Sequence, residues 1–256
     1  MSVKVAAIIP ARMASTRFPG KPLLPFRGIP MVEHVRRRVV LSGVFSDVVV
    51  AACDPEIKQA VEGFGGRVIM TSPAHPGATD RVSEAADHLD CTHVVNVQGD
   101  EILILPDDLK NLVNAINAAP AGPAWNAIAP ISTPEELADR AIVKCVASPS
   151  DRVMFCSRVF AHMKPENVRI ILGILAYEKK FLKSYGTLPR TPLEIQESID
   201  QNRILEHNVP LQGVPFSKGY PGINEPREVA MVEKYLKEDP RQAAALEKIL
   251  KAAVPA

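Results

Sequence analysis

The feature that most constrains this chain is an alternation of two hydrophobic periods through its first half. Residues 3–9 form an apolar, β-branched run that reads as a strand, and residues 47–53, 67–70 and 92–98 are runs of the same kind. Between them, residues 31–42 repeat apolar side chains at helical spacing: Met31, Val32, Val35, Val39 and Val40, with Arg36, Arg37 and Arg38 interleaved. Gly43 is a natural stop for that helix. Residues 55–64, closed by Gly65 and Gly66, and residues 79–89 read as two further helices. Strands alternating with helices of this length predict an α/β fold, a doubly wound and mostly parallel sheet with helices on both faces. Ligands of such sheets sit outside the C-terminal ends of the strands.

Two of those ends carry chemistry. The first strand runs into Pro10-Ala11-Arg12-Met13-Ala14-Ser15-Thr16-Arg17-Phe18-Pro19-Gly20-Lys21, which holds three cations, two hydroxyls and a glycine. Backbone N–H groups and fixed positive charge delivered to one point suit a polyphosphate. The glycine lets the backbone approach a ligand, and the prolines restrict the loop. The spacing is neither that of a Walker loop nor that of a dinucleotide-binding G-x-G-x-x-G turn. The second end is Gln98-Gly99-Asp100-Glu101, whose Asp100 could serve a hard cation or simply make the turn.

Composition narrows the partners. Over 256 residues, 30 Lys+Arg against 29 Asp+Glu leave a formal charge of +1, so nothing favours bulk binding to nucleic acid or an acidic membrane. Attraction for an anion must come from local clusters. Cys53, Cys91, Cys145 and Cys156 sit in or beside apolar runs and form no C-x-x-C pair, which predicts free, buried thiols and no zinc site. No secretory leader and no bilayer-length apolar run is read, so a cytoplasmic location is expected.

The second half is less regular. Residues 142–147 and 153–157 read as strands, 168–177 as a longer apolar run, 192–206 as a polar-faced helix, and 225–250 as a helical region interrupted at Pro240. The expected organisation is one α/β domain over 1–228 with a small lobe at about 155–215, and a C-terminal helical region over 229–256 packed on it.

Beyond the fold, four segments carry a resemblance: the loop 10–23, Val97-Gln98-Gly99-Asp100-Glu101, Glu197-Ser198-Ile199-Asp200-Gln201-x-Arg203, and Pro221-Gly222-Ile223-Asn224-x-Pro226. In this order they are similar to the motifs of sugar-acid cytidylyltransferases, and most of all to the 3-deoxy-manno-octulosonate (Kdo) cytidylyltransferase, or CMP-Kdo synthetase, family. The similarity runs from Val3 to about Glu228. It implies a nucleotidyltransferase, Rossmann-like fold with a small dimerisation lobe. It also implies CTP and an acidic keto-sugar as substrates, Mg2+ as cofactor and a homodimer.

Carried over by residue, the resemblance gives Arg12, Lys21 and Asp100 catalytic roles. Ala11, Arg12, Ser15, Lys21, Thr79 and Arg81 would line the nucleotide site, and Gln98, Arg158, Glu197 and Gln201 the acceptor site. Asp100 and Asn224 would hold the metal. Arg17 would add a contact or remain a solvated charge, and Arg158 would bind a carboxylate or form a surface ion pair. In the segment 71–81, which closes over cytosine in the family, Thr79-Asp80-Arg81 matches, whereas Ala74 and Gly77-Ala78 depart from the pattern. His75 there would cap, pack or touch ligand.

Other departures bear on chemistry. Asn224 stands where the family has an aspartate, and Ile102 where a proline is usual. Ile171 and Leu175 stand where the relatives turn a histidine and a tyrosine to the sugar, and residues 159–163 replace a proline-rich segment near it. The expected function is transfer of CMP from CTP to Kdo or a related acidic sugar with release of pyrophosphate. The alternatives are a different acidic acceptor (an amino-sugar acid, a small carboxylate or a phosphonate) and a non-catalytic nucleotide-binding or regulatory protein.

Overall fold

The structure, a computed structural model, describes residues 2–14, 17–75 and 77–251. The chain divides into two compact units, one of residues 1–113 with 220–256 and one of residues 114–219.

The first unit opens with β1 (Val5–Ala11), buried along its whole length. After the loop come a small hairpin, β2 (Pro25–Phe26) and β3 (Ile29–Pro30), and then α1 (Met31–Leu41). There follow β4 (Asp47–Ala52), α2 (Pro55–Gly63), β5 (Arg67–Met70), α3 (Ala78–Asp87), β6 (His93–Val97) and the start of α4 (Pro106–Ala118). Strands β6, β1, β4 and β5 lie side by side in that order, all parallel, as the alternation predicts. β1 pairs with β4 on one side and β6 on the other, so successive crossovers leave it in opposite directions. The crevice at such a reversal opens at the C-terminal ends of β1 and β6.

The helix α1 departs from the simple amphipathic reading. Val40 is 48% exposed, whereas Arg37 and Arg38 are buried. Wholly buried Glu33 takes Arg37 Nε at 2.6 Å and Arg36 Nε at 2.6 Å, so the arginines are drawn inward by a partner rather than left on a solvated face.

The second unit holds β7 (Ala124–Pro130), α5 (Pro134–Ala138), β8 (Lys144–Ala147), β9 (Val153–Ser157), β10 (Arg169–Glu178), α6 (Lys179–Tyr185), α7 (Pro192–Glu197), α8 (Asp200–Glu206) and β11 (Leu211–Pro215). β11 pairs parallel with β7, β7 antiparallel with β10, β10 with β8 and β8 with β9. The single helix expected over 192–206 is two. Ser198 takes a left-handed conformation at φ 54° and ends α7, and α8 restarts at Asp200. Nothing in the side-chain periodicity marks that break, because a serine stands where a glycine would have signalled it.

After the second unit the chain returns to the first with α9 (Glu228–Glu238) and α10 (Pro240–Lys251), separated near Pro240. All four cysteines are free; Cys145 and Cys156 are buried and directly opposite across β8 and β9, while Cys53 and Cys91 are only half-buried. Burial pushes the Cys145 thiol up to about 12. No helix of the described residues is long and apolar enough to cross a membrane.

Candidate active site

A cavity of about 230 Å³ lies in the first unit at the ends of β1 and β6. Its wall carries four cationic side chains, Arg12, Arg17, Lys21 and Arg81, and one carboxylate, Asp100, with Gln98 and Gly99 beside it. A site with this charge excess in a half-enclosed space attracts a multiply charged anion.

The loop after β1 is folded back on itself. Gly20 N donates to Met13 O at 3.1 Å, and Met13 N donates to Asp54 Oδ2 at 3.0 Å. Gly20 sits at φ 74°, a left-handed conformation that lets the chain turn into the 3-10 turn Lys21–Leu23. Lys21 is thereby aimed across the cavity. Its Nζ donates to Asp100 Oδ2 at 2.9 Å and to Ile223 O at 2.6 Å. Side-chain exposures of 13% and 17% mean that this ion pair is screened far less than a surface one.

The turn after β6 approaches β1 closely. A Cβ on Gly99 would lie 2.8 Å from Pro10 O, so only glycine lets the two strand ends meet without a shift. On its other side Asp100 is held by the turn 221–224: Ile223 N donates to Asp100 O at 3.2 Å. That contact brings in Asn224, whose Oδ1 accepts from Arg17 Nη2 at 3.3 Å.

Ala11, Arg12, Lys21, Arg81, Gln98 and Asp100 thus converge on one cavity wall. Arg12 is exposed and makes no hydrogen bond or ion pair among the described residues. Arg81 is 3% exposed and donates to Thr71 Oγ1 at 2.6 Å. Thr79 is buried in the first turn of α3 and does not line the cavity; Gly77 and Ala78, the departures from the family pattern, do. Ser15 lies outside the described residues. His75 pairs with Glu84, which also accepts from Ser72 N at 2.9 Å. Held by His75, the Glu84 carboxyl titrates below its ordinary value.

The residues expected around the acceptor, other than Gln98, belong to the second unit and are engaged there. Arg158 donates to four backbone carbonyls: Glu197 at 3.0 Å, Ala141 at 3.1 Å, Arg140 at 3.2 Å and Ser198 at 3.5 Å. Its own N–H is accepted by Glu197 Oε2 at 3.1 Å. These bonds place the guanidinium as a strap on the turn between α7 and α8. Gln201 Nε2 donates to Asn126 Oδ1 at 2.8 Å, and Asn126, wholly buried in β7, donates to Leu172 O at 3.0 Å. Ile171 and Leu175 are buried in β10.

Sequence reasoning had no access to the Ile223 carbonyl, which is a backbone group, or to Asn126, a lone polar residue in an apolar strand. It left Arg17 open, and the contact with Asn224 gives that arginine a place on the cavity wall.

The sequence of residues 6–211 matches the cytidylyltransferase family. The chain belongs to that family. The 3-deoxy-manno-octulosonate cytidylyltransferase of Myxococcus xanthus is 36% identical over 241 residues, covering 92% of this chain and 98% of its own length. The 8-amino-3,8-dideoxy-manno-octulosonate cytidylyltransferase of Shewanella piezotolerans is 35% identical over 245 residues, covering 93% and 100%. A solved structure of CMP:2-keto-3-deoxy-manno-octonic acid synthetase in complex with CTP superposes with a TM-score of 0.84 at 33% identity, covering 95% of this chain and 99% of that one. The mostly parallel α/β sheet of this cytidylyltransferase is that of its solved relative.

Whether the site suits a divalent cation is tested by its donors. Among the described residues no group of three or more His, Cys, Asp or Glu converges, so no all-protein cage exists. Asp100 does line the cavity, with one carboxylate oxygen on Lys21 and no recorded partner for the other among the described residues. One carboxylate on the wall of a cationic cavity is the donor set Mg2+ uses when a phosphate-bearing substrate supplies the rest. The residues fit.

Proposed function

We propose that this cytidylyltransferase transfers CMP from CTP to Kdo or a closely related acidic sugar, releasing pyrophosphate. The observation that carries the reading is the Lys21–Asp100 pair at 2.9 Å on the wall of a cavity that also presents Arg12, Arg17 and Arg81. The acceptor hydroxyl attacks the α-phosphorus, the bond to the bridging oxygen of pyrophosphate breaks, and the hydroxyl proton is lost to solvent or product. Such a displacement depends on alignment and on countercharge for the departing group. Arg12 and Lys21 supply that countercharge, while Ala11, Gly99 and the short residues at the start of α3 bring backbone close to the nucleotide. Ser15 is assigned to the nucleotide side as well, with Thr79 supporting that side from within the first turn of α3 rather than from the cavity wall. Asp100, with support from Asn224, would hold Mg2+, which would supply charge neutralisation at the phosphates.

Acceptor recognition is assigned to Gln98 and Gln201, with Arg158 and Glu197 holding the α7–α8 turn. The apolar Ile171 and Leu175 favour a second reading, in which the acceptor is an amino-sugar acid or another acid lacking some of the hydroxyls of Kdo. Four free thiols support a reducing compartment such as the cytoplasm. A homodimer is supported by the exposed Met154, Phe155 and Val159 on and beside β9.

The test is pyrophosphate release from purified protein with CTP, Mg2+ and a panel of acidic sugars that includes Kdo and its 8-amino analogue. Turnover with one of them is expected. CTP binding without turnover on any acceptor would instead favour a nucleotide-binding protein that has lost catalysis.

A further inference from the structure

The segment that follows Asp100 is held from behind by two buried polar side chains that touch no part of the cavity. Ile102, Leu103, Ile104 and Leu105 are buried but lie outside regular structure, so their carbonyls need donors. Gln242 of α10, wholly buried, donates from Nε2 to Leu103 O at 2.6 Å. Arg38 of α1, also wholly buried, donates from Nη1 to Ile104 O at 3.0 Å and to Gln242 Oε1 at 2.8 Å.

Arg38 has no carboxylate partner, and its Nε and Nη2 have no hydrogen-bond partner among the described residues. An uncompensated buried guanidinium is a costly way to satisfy one carbonyl, so stability does not explain it. The same centre reaches the second turn of the site. The Gln242 side chain hydrogen-bonds Tyr220, whose hydroxyl also donates to Asp239 Oδ2 at 2.9 Å, and the Gln242 backbone N–H closes on Asp239 Oδ1 at 3.3 Å. Tyr220 immediately precedes the turn 221–224 that grips Asp100 and Lys21 through Ile223. Both turns that meet at Asp100 are therefore tied to the pair Arg38–Gln242.

Resting on the proposed function for its catalytic readout, we propose that Arg38 and Gln242 are positioning residues that set the register of the Asp100 turn against the turn 221–224. They act on the metal-binding carboxylate through backbone, not on the nucleotide.

The experiment compares the full-length chain with Gln242→Met, Arg38→Met, the conservative Arg38→Lys, and Tyr220→Phe, which removes a single hydroxyl. Hydrogen–deuterium exchange in the absence of substrates is the readout independent of activity. Gln242→Met is expected to raise exchange in residues 99–105 and also in 221–224, which Gln242 does not bond, while β1 and β6 stay protected. Tyr220→Phe should loosen 221–224 alone. In turnover assays Gln242→Met and Arg38→Met should raise the Mg2+ needed for half-maximal rate about tenfold. They should lower kcat by about 10- to 100-fold. KM for CTP should change by less than about twofold, and Arg38→Lys should recover part of the loss.

Exchange that rises only within α10, or uniformly over the chain, would overturn the proposal. So would a loss of rate that falls equally on CTP and Mg2+ dependence. A wild-type protein without turnover would count against the proposed function alone, since the exchange pattern still decides the positioning role.

Discussion

Gly99→Ala is the sharpest perturbation the site offers, because it adds one methyl group and no charge. The backbone there is not left-handed, so alanine can adopt it, and the contact alone carries the effect. The added Cβ would stand 2.8 Å from Pro10 O, against ordinary contacts that begin near 3.4 Å. Pro10 lies in β1 and cannot yield without moving a strand whose every residue is buried. The turn after β6 must therefore retreat by about half an ångström or more, carrying Asp100 away from Lys21. Overpacking of this size costs about 1–3 kcal/mol, of which the smaller entropy of the unfolded alanine chain returns about 0.4–1 kcal/mol. The expected result is a small fall in Tm together with a loss of kcat of about 100-fold, since misplacement near 1 Å is felt that strongly. Calorimetry and pyrophosphate release measure the two effects on one preparation. A variant with wild-type kcat would refute the claim that close approach of the two strand ends sets the geometry of the site.

Three further outcomes are expected. Lys21→Met should lower kcat by about 100-fold, equivalent to about 3 kcal/mol of transition-state stabilisation, and adding Asp100→Asn should cost much less than it does in the wild type, because the two groups act as a pair. Asn224→Asp should lower the Mg2+ concentration for half-maximal rate, and an unchanged Mg2+ dependence would remove this position from the metal shell. Burial, followed by the nearby Arg38 and Arg37, lowers the pKa of His34 to about 4 despite its bond to Phe26 O at 2.7 Å. The folded form thus prefers neutral imidazole. Its contribution is complete above the unfolded value of 6.5 and is lost as pH falls towards 4, by roughly 3 kcal/mol at the acid end. Denaturant titrations across that window should show a shallower pH slope in His34→Gln, and an identical slope would exclude the histidine as its source.

The parallel strands of the first unit were legible because each is a short β-branched run bounded by a helix of opposite period. The convergence of the loops after β1 and β6 followed from that alternation, since a doubly wound sheet brings strand ends together at its reversal point. Where reading failed, the decisive partner was remote. Arg37 and Arg38 look solvated in sequence, but Glu33 one turn earlier and the Ile249 carbonyl take Arg37 inside, and the Ile104 carbonyl in the loop after β6 takes Arg38. The break at Ser198 left no periodic signature. Arg158 has the chemistry of a carboxylate binder, yet the carbonyls it straps come from two places along the chain, residues 140–141 and 197–198, and backbone oxygens are invisible to motif reasoning.

The first unit is written in two stretches of polypeptide with the whole second unit between them. On a ribosome, residues 114–219 are complete before the closing stretch has emerged, so the contiguous unit can condense while its neighbour still lacks α9 and α10. Ile249, near the end of the described chain, is fully buried, and Arg37 donates to its carbonyl at 2.6 Å. Loss of α9 and α10 would accordingly strike a core laid down by residues more than a hundred positions earlier in the chain. A nascent chain of this protein keeps its first unit unfinished until α10 has left the ribosome.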